Sequence, residues 1–378
     1  MDFVTTTDDE KQILQLADDF ATREIKPVAE KYDKLAQFPM EVMKKARELG
    51  LANAVIPQAY GGPELSNLIR AQINERCARA CTGITGALFL NNLIAEVLLI
   101  AGNETQKKTY LPRMVEGQIA SYCVTEPGAG SDVGALRTTA VKKGDEYILN
   151  GSKTWISNAP VANFFAIFAK TDPAGGHKGL SVFLAEAGTP GLTVGKNLTK
   201  LGQRAFPACE LHIENVKVPA KNLLGKEGDG FMIAMKAFDG SRPMVAAMGV
   251  GLSQRCLDEA TAYAKTRQTM GVPLFHHQLI SLKLAEMGMR THASRLLTYE
   301  SSDRLDRGVR NTLQAAYAKT FATDTAQWAS SEAIQIFGGM GYSTEFPVEK
   351  LYRDAKVLQI YEGANEIQRL IMARELTR

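Results

Sequence analysis

The sequence predicts a multi-domain α+β protein in which two helical segments enclose a β-rich middle, and three observations carry that reading. The chain has 378 residues, more than one hydrophobic core usually accommodates. Roughly its first 120 residues show helical spacing, and the texture from about residue 121 to 225 changes to short β-prone runs. After Gly230 the helical spacing returns in longer segments. The expected domains are therefore 1–120, 121–225 and 226–378.

In the first segment, Thr7 and Glu10 stand at capping-box spacing ahead of Ile13, Leu14, Leu16, Ala17 and Phe20. Pro27, Pro39, Pro57 and the run Gly61-Gly62-Pro63 divide the rest of this segment into several helices. The apolar stretch "GALFLNNLIAEVLLIAG" is short for a membrane span and is broken by Asn91, Asn92 and Glu96, so it reads as a buried helix. In the middle segment "EYILNG", "NFFAIFAK" and "LSVFLAEA" are β-prone, and "CELHIENVKVP" alternates. That alternation puts Leu211 and Ile213 on one face and Glu210, His212 and Glu214 on the other. Turn signals separate the runs closely, which favours an antiparallel sandwich or barrel over βαβ units. In the third segment Leu282, Ala285, Met289, Ala293 and Leu296 step by three and four, predicting one buried stripe.

Charge is nearly balanced, with 44 basic and 41 acidic residues, and no Lys/Arg run exceeds a pair. No nucleic-acid footprint is visible in that pattern. Five cysteines without a C-x-x-C pair argue against a disulfide framework or zinc knuckle and suit a reducing compartment. No metal site is expected. The start "MDFVTTTDDEKQ" is acidic and carries no signal-peptide pattern. The expected location is a bacterial cytoplasm, with the mitochondrial matrix as the alternative.

Three stretches carry candidate chemistry. In "YCVTEPGAGSDVG", Pro127 ahead of the glycines and the β-prone run after them argue against a dinucleotide fold. Thr125, Ser131 and the backbone N–H groups of that loop can still hold a cofactor's oxygens and phosphates. Trp155 in "GSKTWISNA" reads, taken alone, as a core tryptophan of the β-domain. Gly338, Gly339 and Gly341 read as a helix end and loop. Glu362 in "YEGANEIQR" has three readings: a solvated charge, a helix cap or a base.

Together with "FDGSRPMVAAMGVGLSQRCLDEA" and "RDAKVLQIYEGANEIQR", these blocks resemble the acyl-CoA dehydrogenase family from about Asp8 to the C-terminus, most closely its short- and medium-chain members. The resemblance implies an N-terminal helical domain, a middle antiparallel β-barrel or sandwich and a C-terminal four-helix bundle, enclosing FAD in a homotetramer. It implies that Tyr122, Val124, Thr125, Gly130 and Ser131 line the flavin ring and its phosphates. Trp155 would lie against the isoalloxazine, and the Ser157 hydroxyl would reach the flavin N(5). Arg267 and Thr269 match positions that bind FAD from a neighbouring subunit, and Gln335, Gly338 and Gly339 match another subunit's contact with the adenine end. Asp239 and Arg242 match positions near CoA, and Ser131 would touch both ligands.

Glu362 matches the family's catalytic base, with Tyr361 and Gly363 beside it in the substrate site. Some branches carry the base immediately before the arginine of "FDGSRP", where this chain has Ser241, which cannot serve. Two departures stand out. Ala364 replaces a common Thr, removing one hydroxyl contact to FAD, and Phe89 and Leu90 occupy the acyl-pocket helix. Phe89 and Leu90 imply a short, branched or cyclic acyl-CoA substrate, and the resemblance implies that electrons pass to an electron-transfer flavoprotein. An oxidase returning electrons to O₂ and a DNA-binding relative of this fold are the alternatives.

Overall fold

The computed structural model describes residues 7–378; the first residues of the acidic N-terminal stretch lie outside the described residues. Helix α1 (Asp8–Phe20) starts at the expected capping box: Glu10 N–H donates to Thr7 Oγ at 3.2 Å, and Thr7 N–H to the Glu10 carboxylate at 2.7 Å. Leu14, Ala17 and Phe20 bury its inner face. Helices α2 (Ala29–Leu35) and α3 (Met40–Glu48) come next along the chain.

The core of the N-terminal layer is α4 (Asn67–Ala101), two arms joined at Cys81, whose φ of −164° and ψ of 113° are extended rather than helical. The arms fold back far enough for Arg70 Nη2 to reach Glu96 Oε1 at 2.5 Å, and both side chains are buried. This helix is long and apolar enough to cross a membrane, yet 78% of its apolar window is buried inside the protein. Helix α5 (Glu104–Val115) completes the layer.

The middle segment has β1 (Ala120–Cys123), β2 (Thr139–Lys143), β3 (Glu146–Ser157), β4 (Phe164–Lys170), β5 (Leu180–Glu186), β6 (Leu192–Asn197), β7 (Ala208–Pro219) and β8 (Leu223–Leu224). They form one sheet in the order β6-β7-β3-β2-β4-β5-β8, with β1 against β4. Most pairs are antiparallel, as expected, but β1 runs parallel to β4, and β2 touches β4 in parallel at Thr139 and Lys170. The β2–β3 hairpin lies between β1 and β4 in sequence and supplies the long crossover that parallel pairing needs. Strand β4 shows how the layers meet. Phe164, Ala166 and Phe168 pack towards the helices, while Phe165, Ile167 and Ala169 pack with Leu149, Leu211 and Ile213 of β3 and β7. The sheet thus folds over its own core as a sandwich, and Leu211 and Ile213 face inward as their alternation predicts.

The C-terminal layer contains α6 (Gly230–Thr266), the short hairpin β9 (Gln268–Thr269) and β10 (Val272–Pro273), α7 (Gln278–Asp306), α8 (Thr312–Phe337), α9 (Val348–Ala355) and α10 (Asn365–Leu376). Helix α6 packs hard on α4: a β carbon on Gly251 would sit 2.2 Å from the Glu75 carbonyl oxygen.

The predicted buried stripe of α7 is corrected. Leu282, Met289 and Leu296 are 65%, 61% and 40% exposed, Ala285 is exposed, and Ala293 is only partly covered. The face turned inward is Met287, Thr291, Ser294, Thr298 and Ser302. Small side chains allow close helix approach. The hydroxyls of Ser294, Thr298 and Ser302 donate to the carbonyls four residues back, so their burial leaves no donor unmet.

Candidate active site

Glu362 sits in a turn between α9 and α10 with φ at +54°, followed by Gly363 at +91°. Helix α10 begins at Asn365 with Ala364 as its cap residue, so Glu362 is not the helix cap. Its Oε2 accepts a hydrogen bond from Ser241 Oγ of α6 at 2.8 Å. The position that cannot itself supply a base therefore holds the Glu362 carboxylate. Burial pushes the Glu362 carboxyl above its usual range; the Ser241 hydroxyl, Arg242 and Lys319 oppose that shift, and Glu96 adds to it. No acceptor takes the N–H of Glu362 among the described residues.

The turn is held from α8. Lys319, fully buried, donates to the Gly363 carbonyl at 2.9 Å and to Asn365 Oδ1 at 2.8 Å. Asn365 in turn donates to Thr323 Oγ and to Asp324. Such anchoring keeps a non-glycine residue in a left-handed conformation that costs of order 1 kcal/mol or more. Tyr361, half-buried, packs against both the N-terminal core, where Phe89 and Leu90 also lie, and the C-terminal core.

On α6, Arg242 is buried and donates to Asp239 Oδ1 at 2.7 Å, while Thr312 Oγ donates to Asp239 Oδ2 at 2.9 Å. Arg242 Nε has no partner. Burial lowers the Arg242 guanidinium's proton affinity against the pull of Asp239 and Glu362.

The glycine-rich loop leaves β1 after Cys123; within the strand, Tyr122 has a buried phenol oxygen with no partner and a ring edge-on to Phe238 of α6 at 5.8 Å. Val124 is buried, and Thr125 takes the N–H of Thr154 at 2.9 Å, tying the loop to β3. Beneath it Glu126 accepts from Arg137 N–H at 2.6 Å, Thr138 Oγ at 2.5 Å and Lys153 Nζ at 2.7 Å, and Lys153 also reaches the Val124 carbonyl. Burial works against the Glu126 carboxylate, but Lys153, Thr138 and the Arg137 N–H outweigh it and hold the carboxyl below its usual range. Gly130 and Ser131 are exposed, and a β carbon on Gly128 or Gly130 would meet nothing within 4 Å. The loop therefore presents open backbone above a fixed floor.

Trp155 is 56% exposed with φ at +59°, at a bulge where the pairing of β3 with β7 slips between Lys153 and Ile156. The core-tryptophan reading is thus corrected: the bulge turns the indole outward. Ser157, half-buried, lies two residues on. An exposed indole beside an open, donor-rich loop fits a flat, phosphate-bearing ring system such as FAD.

Arg267 and Thr269 lie exposed on the β9–β10 hairpin, where Thr269 Oγ meets His277 Nε2 at 2.9 Å. Gln335, Gly338 and Gly339 lie exposed at the C-terminal end of α8. No contact between described residues joins either group to the Tyr122–Ser131 loop. Among the described residues no three His, Cys, Asp or Glu side chains group as metal ligands. Sequence reasoning missed Lys153, Glu126, Lys319, Asn365 and the Arg70–Glu96 pair. A lysine or glutamate carries no mark of burial until its partner is known.

The buried Lys153–Glu126 pair predicts a measurable effect. Lys153→Met strands the Glu126 carboxylate in the interior, at a cost of about 3–5 kcal/mol. The expected result is a lower thermal midpoint together with weaker flavin retention in a spectrophotometric titration. An unchanged midpoint and flavin titration would mean that the pair does not hold the loop.

The raised Glu362 carboxyl lies near Tyr122 at the start of the loop and near Arg242, an arrangement able to accept a proton beside a flat ring held on that loop, which is the chemistry of an oxidoreductase. Comparison with known proteins agrees. Models for the acyl-CoA dehydrogenase N-terminal, middle and C-terminal domains match residues 7–118, 121–216 and 228–377. The chain belongs to the acyl-CoA dehydrogenase family; it is an FAD-dependent oxidoreductase acting on acyl-CoA. It is 42% identical to cyclohexane-1-carbonyl-CoA dehydrogenase of Geobacter metallireducens over 94% of each chain. It is also 42% identical to an acyl-CoA dehydrogenase of Bacillus subtilis over 98% of each. The solved butyryl-CoA dehydrogenase of Megasphaera elsdenii superposes with a TM-score of 0.96 at 38% identity, over 99% of this chain and 100% of that one.

Proposed function

We propose that the chain dehydrogenates a short, branched or cyclic acyl-CoA to the trans-2-enoyl-CoA, with Glu362 removing the α-proton. The observation that carries this reading is the Glu362 carboxyl: half-buried, raised in proton affinity and aimed by the Ser241 hydroxyl at 2.8 Å. A thioester α-proton is weakly acidic, so a base of raised pKa is better matched to it. Enolate charge must also be met where it develops. The free N–H of Glu362 is a donor for the thioester carbonyl, next to the base. Bound FAD supplies the acceptor for the β-hydrogen, which leaves as hydride. Trp155, Ser157 and the Tyr122–Ser131 loop would hold its ring and phosphates, and Arg242 with Asp239 would hold the CoA portion. Ala364 brings no hydroxyl to this set.

Phe89 and Leu90, packed in the same core as Tyr361, support a compact acyl group. Cyclohexane-1-carbonyl-CoA and butyryl-CoA, named for two relatives, fall in that class. Anaerobic addition of a panel of acyl-CoAs tests the reading: a short, branched or cyclic acyl-CoA bleaches the flavin spectrum fastest. A protein that cannot take up FAD sinks the reading. Electrons then pass to an electron-transfer flavoprotein, and hydrogen peroxide formation in air at the turnover rate would instead mark an oxidase.

The homotetramer is supported by the outward stripe of α7, where Leu279, Leu282 and Met289 are 75%, 65% and 61% exposed. Contiguous apolar surface of this kind marks an association face. Leu282→Asp/Met289→Asp is expected to sediment as a smaller species; an unchanged oligomer would place the contact elsewhere.

A further inference from the structure

We infer that two buried side chains of opposite charge, Lys319 on α8 and Glu96 on α4, set the proton affinity of Glu362 in opposite directions without touching it. The inference rests on the reading of Glu362 as the base. Lys319 is anchored by its bonds to Gly363 and Asn365, which fix its ammonium one residue from Glu362. Glu96 comes from α4 against α6. Its Oε1 takes Arg70, while Oε2 has no partner and faces Gly240 of α6. A β carbon on Gly240 would lie 2.9 Å from that oxygen. Gly240 precedes Ser241, whose hydroxyl is on Glu362. The Arg70–Glu96 pair therefore turns its free carboxylate oxygen to α6 one residue before Ser241, and the missing side chain at Gly240 makes room for it.

The remaining groups facing Glu362 leave these two as the adjustable charges. Arg242 on α6 is committed to Asp239. Burial raises the phenols of Tyr122 on β1 and Tyr361 beside the base, keeping both neutral. Ser241 carries no charge. Lys319 also titrates in a useful range: burial brings it down to about 7 against the pull of Glu362. Below that pH its charge favours the ionised form of Glu362. Above it the neutral amine still has N–H groups for Gly363 and Asn365, so the turn holds while the opposing charge is withdrawn.

Removing a nearby positive charge makes Glu362 harder to deprotonate, and removing a nearby negative charge makes it easier. The test uses the holoenzyme, the acyl-CoA that bleaches its flavin fastest and the pH dependence of kcat/KM. Lys319→Gln can still donate to Gly363 but carries no charge. Its acid limb is expected at higher pH, with kcat/KM on that limb down about tenfold, one unit's worth, and the alkaline plateau within about twofold. Glu96→Gln is expected to shift the limb to lower pH, and Arg70→Gln/Glu96→Gln, which leaves no buried charge behind, shifts it the same way. Infrared difference spectra of the substrate-free holoenzyme, with the Glu362 carboxyl band assigned by its loss in Glu362→Gln, give the same order without turnover. A uniform loss of activity at every pH with unmoved midpoints, or shifts of the same sign in Lys319→Gln and Glu96→Gln, overturns the inference. If Glu362→Gln keeps its turnover, the base reading itself fails; if that variant is dead and the limbs stay put, only the tuning is wrong.

Discussion

Glu362→Gln is expected to retain its fold, bind FAD and CoA esters, and turn over slower by about 10²–10⁴-fold or more, the span a positioned general base contributes. The amide is nearly the same size and can still accept the Ser241 hydrogen bond, so the left-handed turn held by Lys319 keeps its anchors. What disappears is the ability to accept a proton. The loss should therefore fall on kcat, with CoA-ester affinity nearly unchanged, as measured by single-turnover bleaching and by ligand titration. Near-normal bleaching would place the base on another residue. In the wild type the raised carboxyl gives kcat/KM an acid limb that falls as Glu362 is protonated in the free enzyme.

Asp354→Ala is expected to destabilise the fold by about 3–5 kcal/mol, the usual cost of stranding a buried charge. Asp354 is fully buried and accepts from Lys350 Nζ at 2.5 Å, Gln203 N–H at 2.5 Å and Thr82 Oγ at 3.2 Å. Burial alone would strip the Lys350 ammonium of its proton, but Asp354 and the Cys81 sulfur beside it hold the proton on, well above the usual lysine range. Without the carboxylate, the buried Gln203 N–H has no acceptor and the Lys350 ammonium keeps only the Cys81 sulfur, next to the elbow of α4. Thermal or denaturant unfolding should show the drop, and Asp354→Leu/Lys350→Met, which removes both charges, should recover a large part of it. Equal losses in the single and double variants would mean that packing, not charge, dominates.

Most of the architecture was legible because its signals are local. The Thr7–Glu10 cap, the alternation through Leu211 and Ile213 and the turn residues between strands each act within a few positions. The α7 stripe misled because periodicity reports an apolar face without saying what covers it. In this chain small hydroxyl side chains fill the interior and the leucines look out. Trp155 misled for a related reason, since a bulge of one residue reverses which side of a strand an indole occupies. The site was legible only through resemblance. Its supporting lysines pair with groups 27 and 44 residues away, distances at which no spacing rule operates.

The elbow of α4 bears on how the chain acquires its structure during synthesis. Thr82 meets Asp354 across 272 positions, and Glu75 meets Tyr299 across 224. The arms of α4 pair Arg70 with Glu96 between themselves, but Glu75 and Thr82 must wait for α7 and α9 to be made before they find their partners. Closing such long loops is slow, and the waiting apolar arms are exposed meanwhile. The arms of α4 are therefore a segment that needs shelter until the later helices are made, and those helices close both the Glu362 turn and the core around α4.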